Sequence, residues 1–346
     1  MADTYALTVL QEARRKLSDA ANKKFEMRPE ITKIKPVFDS GRKWIPVGDL
    51  ANLRESETRP TSIMYFQNAD YTPATHKSCT PVGEVGATSK VALTWNQLVI
   101  PIKLQYKQHN GNEYKAAEVL QSLLWNLEKS MFLNPNTSLD AVLYAYLEAN
   151  RTQVNAISAG GSFNTWNAAN FRVDVMQANK NRFYNFATPD MAMNNYSAPI
   201  WDVCNTSWLA DYAHISNQGP NNSTNFSYQF SGYNVQNSNL VMPAGYYEAM
   251  HYLIPDGGVA IVFWNDKVNR DGKKSGNSTW GTFQSMMYPD VTYDLFTVDG
   301  CADTTADGGG RQDYVITYEF TITYAIAMQP LSTSPETPIF GYGILL

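Results

Sequence analysis

Residues 313–330 read DYVITYEFTITYAIAMQP. Tyr314, Ile316, Tyr318, Phe320, Ile322, Tyr324, Ile326 and Met328 put a large apolar side chain at every second position, and the residues between are mostly Thr, Glu or Ala. Strict period two over this length predicts a long strand with one buried face. Val291–Val298 is the expected partner, and Asp299–Asp313, with Gly308-Gly309-Gly310, the expected hairpin loop. Neighbours in sequence pair most economically as antiparallel strands.

A second extended stretch lies far upstream. Thr61–Asn68 (TSIMYFQN) reads as a strand, and residues 71–88, rich in Thr, Pro and Gly, read as a long connecting loop. In Lys90–Gln108 the apolar residues Val91, Leu93 and Trp95 fall on odd positions, while Leu98, Ile100, Ile102, Leu104 and Tyr106 fall on even ones. The phase switch near Asn96 and Gln97 predicts a β-bulge. Extended throughout, this run reaches on the order of 60 Å, well beyond an ordinary strand.

Helices are expected between and before these strands. Leu7, Leu10, Ala13 and Leu17 recur at helical spacing, predicting a helix over 5–26 with Arg14, Arg15 and Lys16 beside the stripe. Residues 27–60, with Pro29, Pro36, Pro46 and Pro60, read as an extended arm. Asn112 is a natural N-cap for a helix over Glu113–Phe132, whose stripe is Leu120, Leu123, Leu124, Leu127 and Met131. Thr137-x-x-Asp140 resembles a capping box for a second helix to Asn150. In 158–290 the expectation is helix at Trp166–Arg182 and Ala198–Trp208. Strands are expected at Phe183–Ala187, Leu240–Met242 and Gly258–Trp264, with loop or edge strand over Asn217–Asn239.

The chain has 346 residues, enough for one large domain or two ordinary ones. Charged residues make up 17%, against about 25% in an average soluble protein, while aromatics reach 13%. Such a surface, poor in Lys and Glu and rich in Tyr, Trp and Asn, suits an interface; it suits a β-rich protein with uncharged polar loops equally well. Net charge is −5, which excludes a strongly basic nucleic-acid binder. Residues 1–43 carry a local +4, so the remainder stands near −9. No apolar run follows Met1 and none approaches membrane-spanning length, so neither a secretory signal nor a span is expected.

Catalytic patterns are missing. His76, His109, His214 and His251 share no ligand spacing, and no H-E-x-x-H, G-x-S-x-G or phosphate-loop motif occurs. Cys79, Cys204 and Cys301 are odd in number and far apart, which argues against a disulfide framework or a zinc site. Asp299, Asp303, Asp307 and Asp313 do not match a calcium-loop spacing. The expectation is a protein without catalytic residues, metal or cofactor.

The order of elements carries a resemblance. PVGEVGATSKVALTWNQLVIPIKLQYKQHNGNEYKAAEVLQSLLWNLEKSMF (81–132), FATPDMAMNNYSAPIWD, VTYDLFTVDG, DYVITYEFTITYAIAMQP and the closing PIFGYGILL together resemble the major capsid protein of tailed phages, the Hong Kong 97-type fold. The resemblance implies an α+β fold with an N-terminal helix and arm (1–60) and an extended β-hairpin E-loop (61–108). It also implies a P domain with a spine helix (109–157 and 291–346) and an A domain (158–290). It implies self-assembly into hexamers and pentamers of an icosahedral head that encloses double-stranded DNA.

The implied partners are further copies of the chain, a portal, and scaffolding, cement or decoration proteins. DNA contact would be weak and nonspecific, no membrane would be touched, and the location would be the virion after synthesis in the host cytoplasm. Ile63, Tyr65, Val91, Leu93, Trp95 and Ile100 are the implied subunit-interface residues of the E-loop, and Arg14, Arg15, Lys16, Lys23 and Lys24 the N-arm contacts. Two other readings stay open: an encapsulin-type compartment of the same fold, and a β-rich carbohydrate-binding or hydrolytic protein using Trp166, Trp201, Trp208 and Trp280 as stacking platforms.

Overall fold

A computed structural model describes residues 2–22, 34–66, 88–106, 110, 112–151, 164–208, 211, 228–230, 232–240, 246–266, 274–304, 311–331 and 337–346. The strand expected at the C-terminal end is present as β14 (Arg311–Met328), 18 residues long. It runs antiparallel to β13 (Thr292–Thr304), in register from Asp294↔Thr321 to Thr304↔Arg311. The two strands thus take up most of the expected hairpin loop; residues 305–310 lie outside the described residues. On its other long side β14 pairs with β3 (Trp95–Gln105). Its last residues pair with β10 (Val259–Trp264), and β12 (Ser278–Gln284) and β11 (Lys274–Ser275) extend the sheet beyond β13.

The even-numbered residues Ile316, Tyr318, Phe320, Ile322 and Tyr324 are buried, as period two requires. They pack with α1 (Ala2–Asn22) and with the long helix α4 (Glu113–Leu133) in one core. Asn112 caps α4 by accepting from the Lys115 amide at 3.2 Å. The next helix, α5 (Leu139–Ala149), is capped by Ser138 rather than Thr137, its hydroxyl accepting from the Ala141 amide at 3.2 Å.

Residues 34–55 are not an extended arm. They form α2 (Lys35–Ser40), a 3-10 turn (Gly41–Trp44) and α3 (Val47–Glu55), with Ile34, Val37 and Phe38 fully buried. The prolines misled because they start helices here: Pro36 sits in the first turn of α2 and Pro46 is the N-cap of α3, where a missing N–H costs nothing. A side chain at Gly41 would meet the Val259 carbonyl oxygen at 2.0 Å, so this turn lies flush against β10.

The expected bulge near Asn96 is a change of sheet. β1 (Ser62–Phe66) and β2 (Thr88–Ala92) form a separate antiparallel ribbon, and the chain crosses at Leu93-Thr94 into β3 of the large sheet. The Leu93 amide donates to the Thr61 carbonyl at 2.9 Å and the Trp95 indole N–H to the Pro60 carbonyl at 2.7 Å, which holds the crossing in place. Switching sheets reverses which alternate residues face inward, and that is the phase change seen in the sequence.

A second, seven-stranded sheet has the order β4 (Asn164–Asn167), β5 (Arg172–Val175), β15 (Phe340–Leu345), β9 (Tyr247–Pro255), β6 (Ile200–Asn205), β8 (Tyr233–Ser238), β7 (Tyr228–Phe230). One face packs on α6 (Phe183–Met193) and the other shares the main core with α5. The expectations for 166–182 and 198–208 as helices and 183–187 as a strand are therefore wrong. β6 is buried along nearly its whole length, so it shows no alternation, and a five-residue, mostly apolar stretch such as 183–187 fits either a strand or a helix start. β10, β11 and β12 join the sheet of β14, while β15 joins the second sheet, so the two sheets do not divide at residue 290.

Candidate functional site

In the described parts of this stretch, 61–66 and 88–106, alternate side chains are buried against the rest of the chain. Ile63, Tyr65 and Leu93 turn inward and pack with Ile45, Leu53, Ala260, Val262, Ala325 and Ala327. The Tyr65 hydroxyl donates to the carbonyls of Gly257 and Gly41, and burial pushes its titration far above the usual range. Val91 and Trp95 are half-buried against this cluster, and Ile100 is half-buried against the main core. The six residues expected at a subunit interface thus face their own chain. The most apolar positions of a strand are those that bury first, and here the chain's own core takes them.

The opposite face carries the surface. Met64 and Phe66 are each 41% exposed, and Val99 of β3 is 46% exposed. Among the described residues, β3 is an edge strand, with β14 as its one strand partner. The Met64 amide donates to the Asp49 carboxylate, so α3 anchors the ribbon at its base. A two-stranded ribbon of this size is marginal alone in water.

Beside it, the face of the large sheet opposite α4 is only partly covered by the described residues. At the C-terminal end of β14, Thr323, Ala325 and Ala327 are buried, the last two within the ribbon cluster; further along, Thr317, Glu319 and Thr321 are half-exposed. A cleft of about 310 Å³ lies there, walled by Trp264, Trp280 and Phe296 with Arg59, Asp294 and Glu319 at its rim. Trp280 and Phe296 are register partners whose rings stand 5.0 Å apart. Arg59 covers the Trp264 ring at 5.2 Å, and the Asp294 carboxylate accepts from the Asn265 amide at 3.2 Å.

The basic residues of α1 also engage their own chain. Arg14 lies over the Phe283 ring and donates to Gln284 at 3.3 Å; Arg15 pairs with Glu12 at 2.7 Å; Lys16 reaches Glu118 at 3.4 Å. Lys23 and Lys24 lie outside the described residues. The four tryptophans do not gather. Trp280 lines the cleft, Trp166 and Trp201 sit on the second sheet, and Trp208 is fully buried, so it offers no platform. Among the described residues no helix is long and apolar enough to cross a membrane.

No family model and no curated protein matches this chain. Among solved structures it is similar to a chain from Gordonia phage Cozz at 10% identity, covering 93% of this chain and 89% of that one with a TM-score of 0.45. It is similar to a chain from Mycobacterium phage Che8 at 11% identity, over 85% of this chain and 90% of that one, with a TM-score of 0.44. The capsid structure of the cyanophage P-SCSP1u is similar at 11% identity, over 83% of this chain and 84% of that one, with a TM-score of 0.39.

Proposed function

We propose that this chain is a structural subunit that assembles into a shell: the major capsid protein of a tailed double-stranded DNA bacteriophage, without catalytic activity of its own. The observation that carries this reading is the ribbon of β1 and β2. It is clamped to its own chain on one face and shows Met64 and Phe66 on the other, beside the open edge of β3. Exposed apolar residues and an open strand edge invite another chain. The partner that fits is a second copy, lying across the uncovered sheet face with its Trp280–Phe296 cleft. Such a contact joins two different surfaces, and repeated about symmetry axes it closes into rings and shells.

In the particle, hexamers and pentamers build an icosahedral head. The domains are those the resemblance implies, except that β10, β11 and β12 pair into the sheet of β14 and β15 into the second sheet, which lies in the part nearest the axes. A portal joins the shell at one vertex, and scaffolding, cement or decoration proteins are further partners. Contact with packaged DNA is weak and nonspecific, because the chain is net negative. Synthesis is in the host cytoplasm and the final location is the virion.

Electron microscopy and sedimentation of the expressed chain test this. Closed shells, rings or tubes are expected; a monomer under every salt, pH and crowding condition would sink the proposal. Nuclease-protected DNA in native particles separates a phage head from an enzyme-packing compartment. Sugar affinity in a monomer, lost on Trp280→Ala, would favour the carbohydrate-binding alternative.

A further inference from the structure

Three residues that share no spacing in the sequence meet inside the second sheet. Asp202 and Cys204 stand two apart on β6 and so share a face. His251 of β9 is the register partner of Cys204 on one side, and Asn237 of β8 on the other. The ligating atoms of Asp202, Cys204 and His251 all lie within 4.8 Å of one another, and none of the three side chains reaches solvent. His251 Nδ1 stands 3.0 and 3.1 Å from the two Asp202 carboxylate oxygens, and Cys204 Sγ lies 3.0 Å from Asn237 Oδ1. The Tyr184 hydroxyl donates to Asp202 at 2.7 Å, and the rings of Phe183 and Trp208 cover the imidazole.

Among the described residues His251 Nε2 makes no hydrogen bond, so that nitrogen does not decide which of the two carries the ring proton. The Asp202 carboxylate is fully buried, and among the described residues the only cation-forming group that touches it is His251. A buried carboxylate needs a compensating charge as well as hydrogen-bond donors.

We propose that Asp202, Cys204 and His251 bind a zinc-type divalent cation, with the Asn237 amide oxygen as fourth ligand. One oxygen, one sulfur and one nitrogen donor are the mix that a borderline ion of this kind takes, and four ligands complete a closed structural site. The charges balance. A dication with the Asp202 carboxylate and the Cys204 thiolate is neutral, as a dry core requires. The protons balance as well: Cys204 releases its thiol proton to solvent, and neutral His251 keeps its single proton on Nε2 while Nδ1 gives its lone pair to the metal. The ion would tie three adjacent strands, β8, β6 and β9, across the middle of the sheet. This site does not depend on the assembly role.

The test uses the full chain, stripped with chelator under denaturing conditions and refolded with zinc or cobalt. About one metal per chain is expected, with a cobalt–thiolate charge-transfer band in the near ultraviolet and a higher melting midpoint than in the metal-free chain. Cys204→Ala should abolish the band and the bound metal, and Asp202→Asn should weaken binding about tenfold or more. Cys79→Ala and Cys301→Ala should change neither. His251→Gln provides a second disrupted site should Cys204→Ala fold poorly. A wild-type chain that refolds with excess zinc yet retains none overturns the proposal, and so does a cobalt band that survives Cys204→Ala.

Discussion

The hydroxyl of Tyr318, in the middle of β14, donates to the main-chain carbonyl of Ala6 at 2.9 Å. This bond joins the N-terminal helix to the strand that organises the large sheet. Together with the buried Ala6, Val9, Leu10 and Ala13, it makes α1 part of the main core. Tyr318→Phe keeps the ring and removes only the bond, so a cost of about 0.5–1.5 kcal/mol is expected. Urea unfolding measures it, and hydrogen exchange should show the loss concentrated in α1. An unchanged midpoint would mean that the helix is held by apolar contacts alone.

The two faces of β1 should separate folding from assembly. Met64→Lys with Phe66→Lys alters the outer face and should leave subunit stability within about 0.5 kcal/mol while abolishing shells in sedimentation. Tyr65→Ala acts on the inner face and should cost roughly 3–5 kcal/mol of subunit stability. If the lysine pair assembles as well as wild type, the outer face is not the contact.

Glu128 of α4 is buried, and burial pushes its carboxyl above the usual value of 4.5 despite hydrogen bonds from the Ser285 hydroxyl at 2.8 Å and the Met286 amide at 3.1 Å. The folded chain therefore favours the protonated acid. Its stabilising effect is complete below the unfolded value and fades as pH rises through the raised folded one. Relative to wild type, Glu128→Gln should gain stability as pH rises from below 4.5 toward neutrality. Urea midpoints across that range give the slope; a gap that shrinks toward neutrality contradicts the assignment.

Glu148 behaves in the opposite sense. Burial raises its carboxyl, but the Tyr252 hydroxyl and the Arg172 and Arg151 guanidinium groups outweigh burial and hold it below the usual value. Arg172, at 2.6 Å, is itself nearly buried, so this group ties α5 to β5 and β9. Its stability is present above the unfolded value and is lost as pH falls through the depressed one. Arg172→Met should cost about 1–2 kcal/mol at pH 7, because Glu148 is over a third exposed and keeps Arg151, with much less cost in acid, where Glu148 is protonated in both states. A double-mutant cycle with Glu148→Gln isolates the pair.

The sequence by itself determined the elements whose pattern is local and one-sided. β14 was legible because alternate residues face a core on one side and solvent or lighter packing on the other, over a length that admits no helix. α4 was legible from its stripe and its Asn112 cap. Tertiary structure decided the rest. β6 and β9 are covered on both faces, so their alternation is hidden and the second sheet was misread in part. The turn from ribbon to sheet at Leu93 was visible only as a change of phase, because which sheet a strand joins depends on partners distant in the chain. For the same reason Ile63, Tyr65 and Leu93, apolar enough to suggest an interface, are buried within their own chain, while Val91, Trp95 and Ile100 are half-buried: apolarity marks the face that is buried, and only packing tells which chain buries it. His251 and Cys204 show this most sharply. No spacing links them, and strand register alone places them side by side.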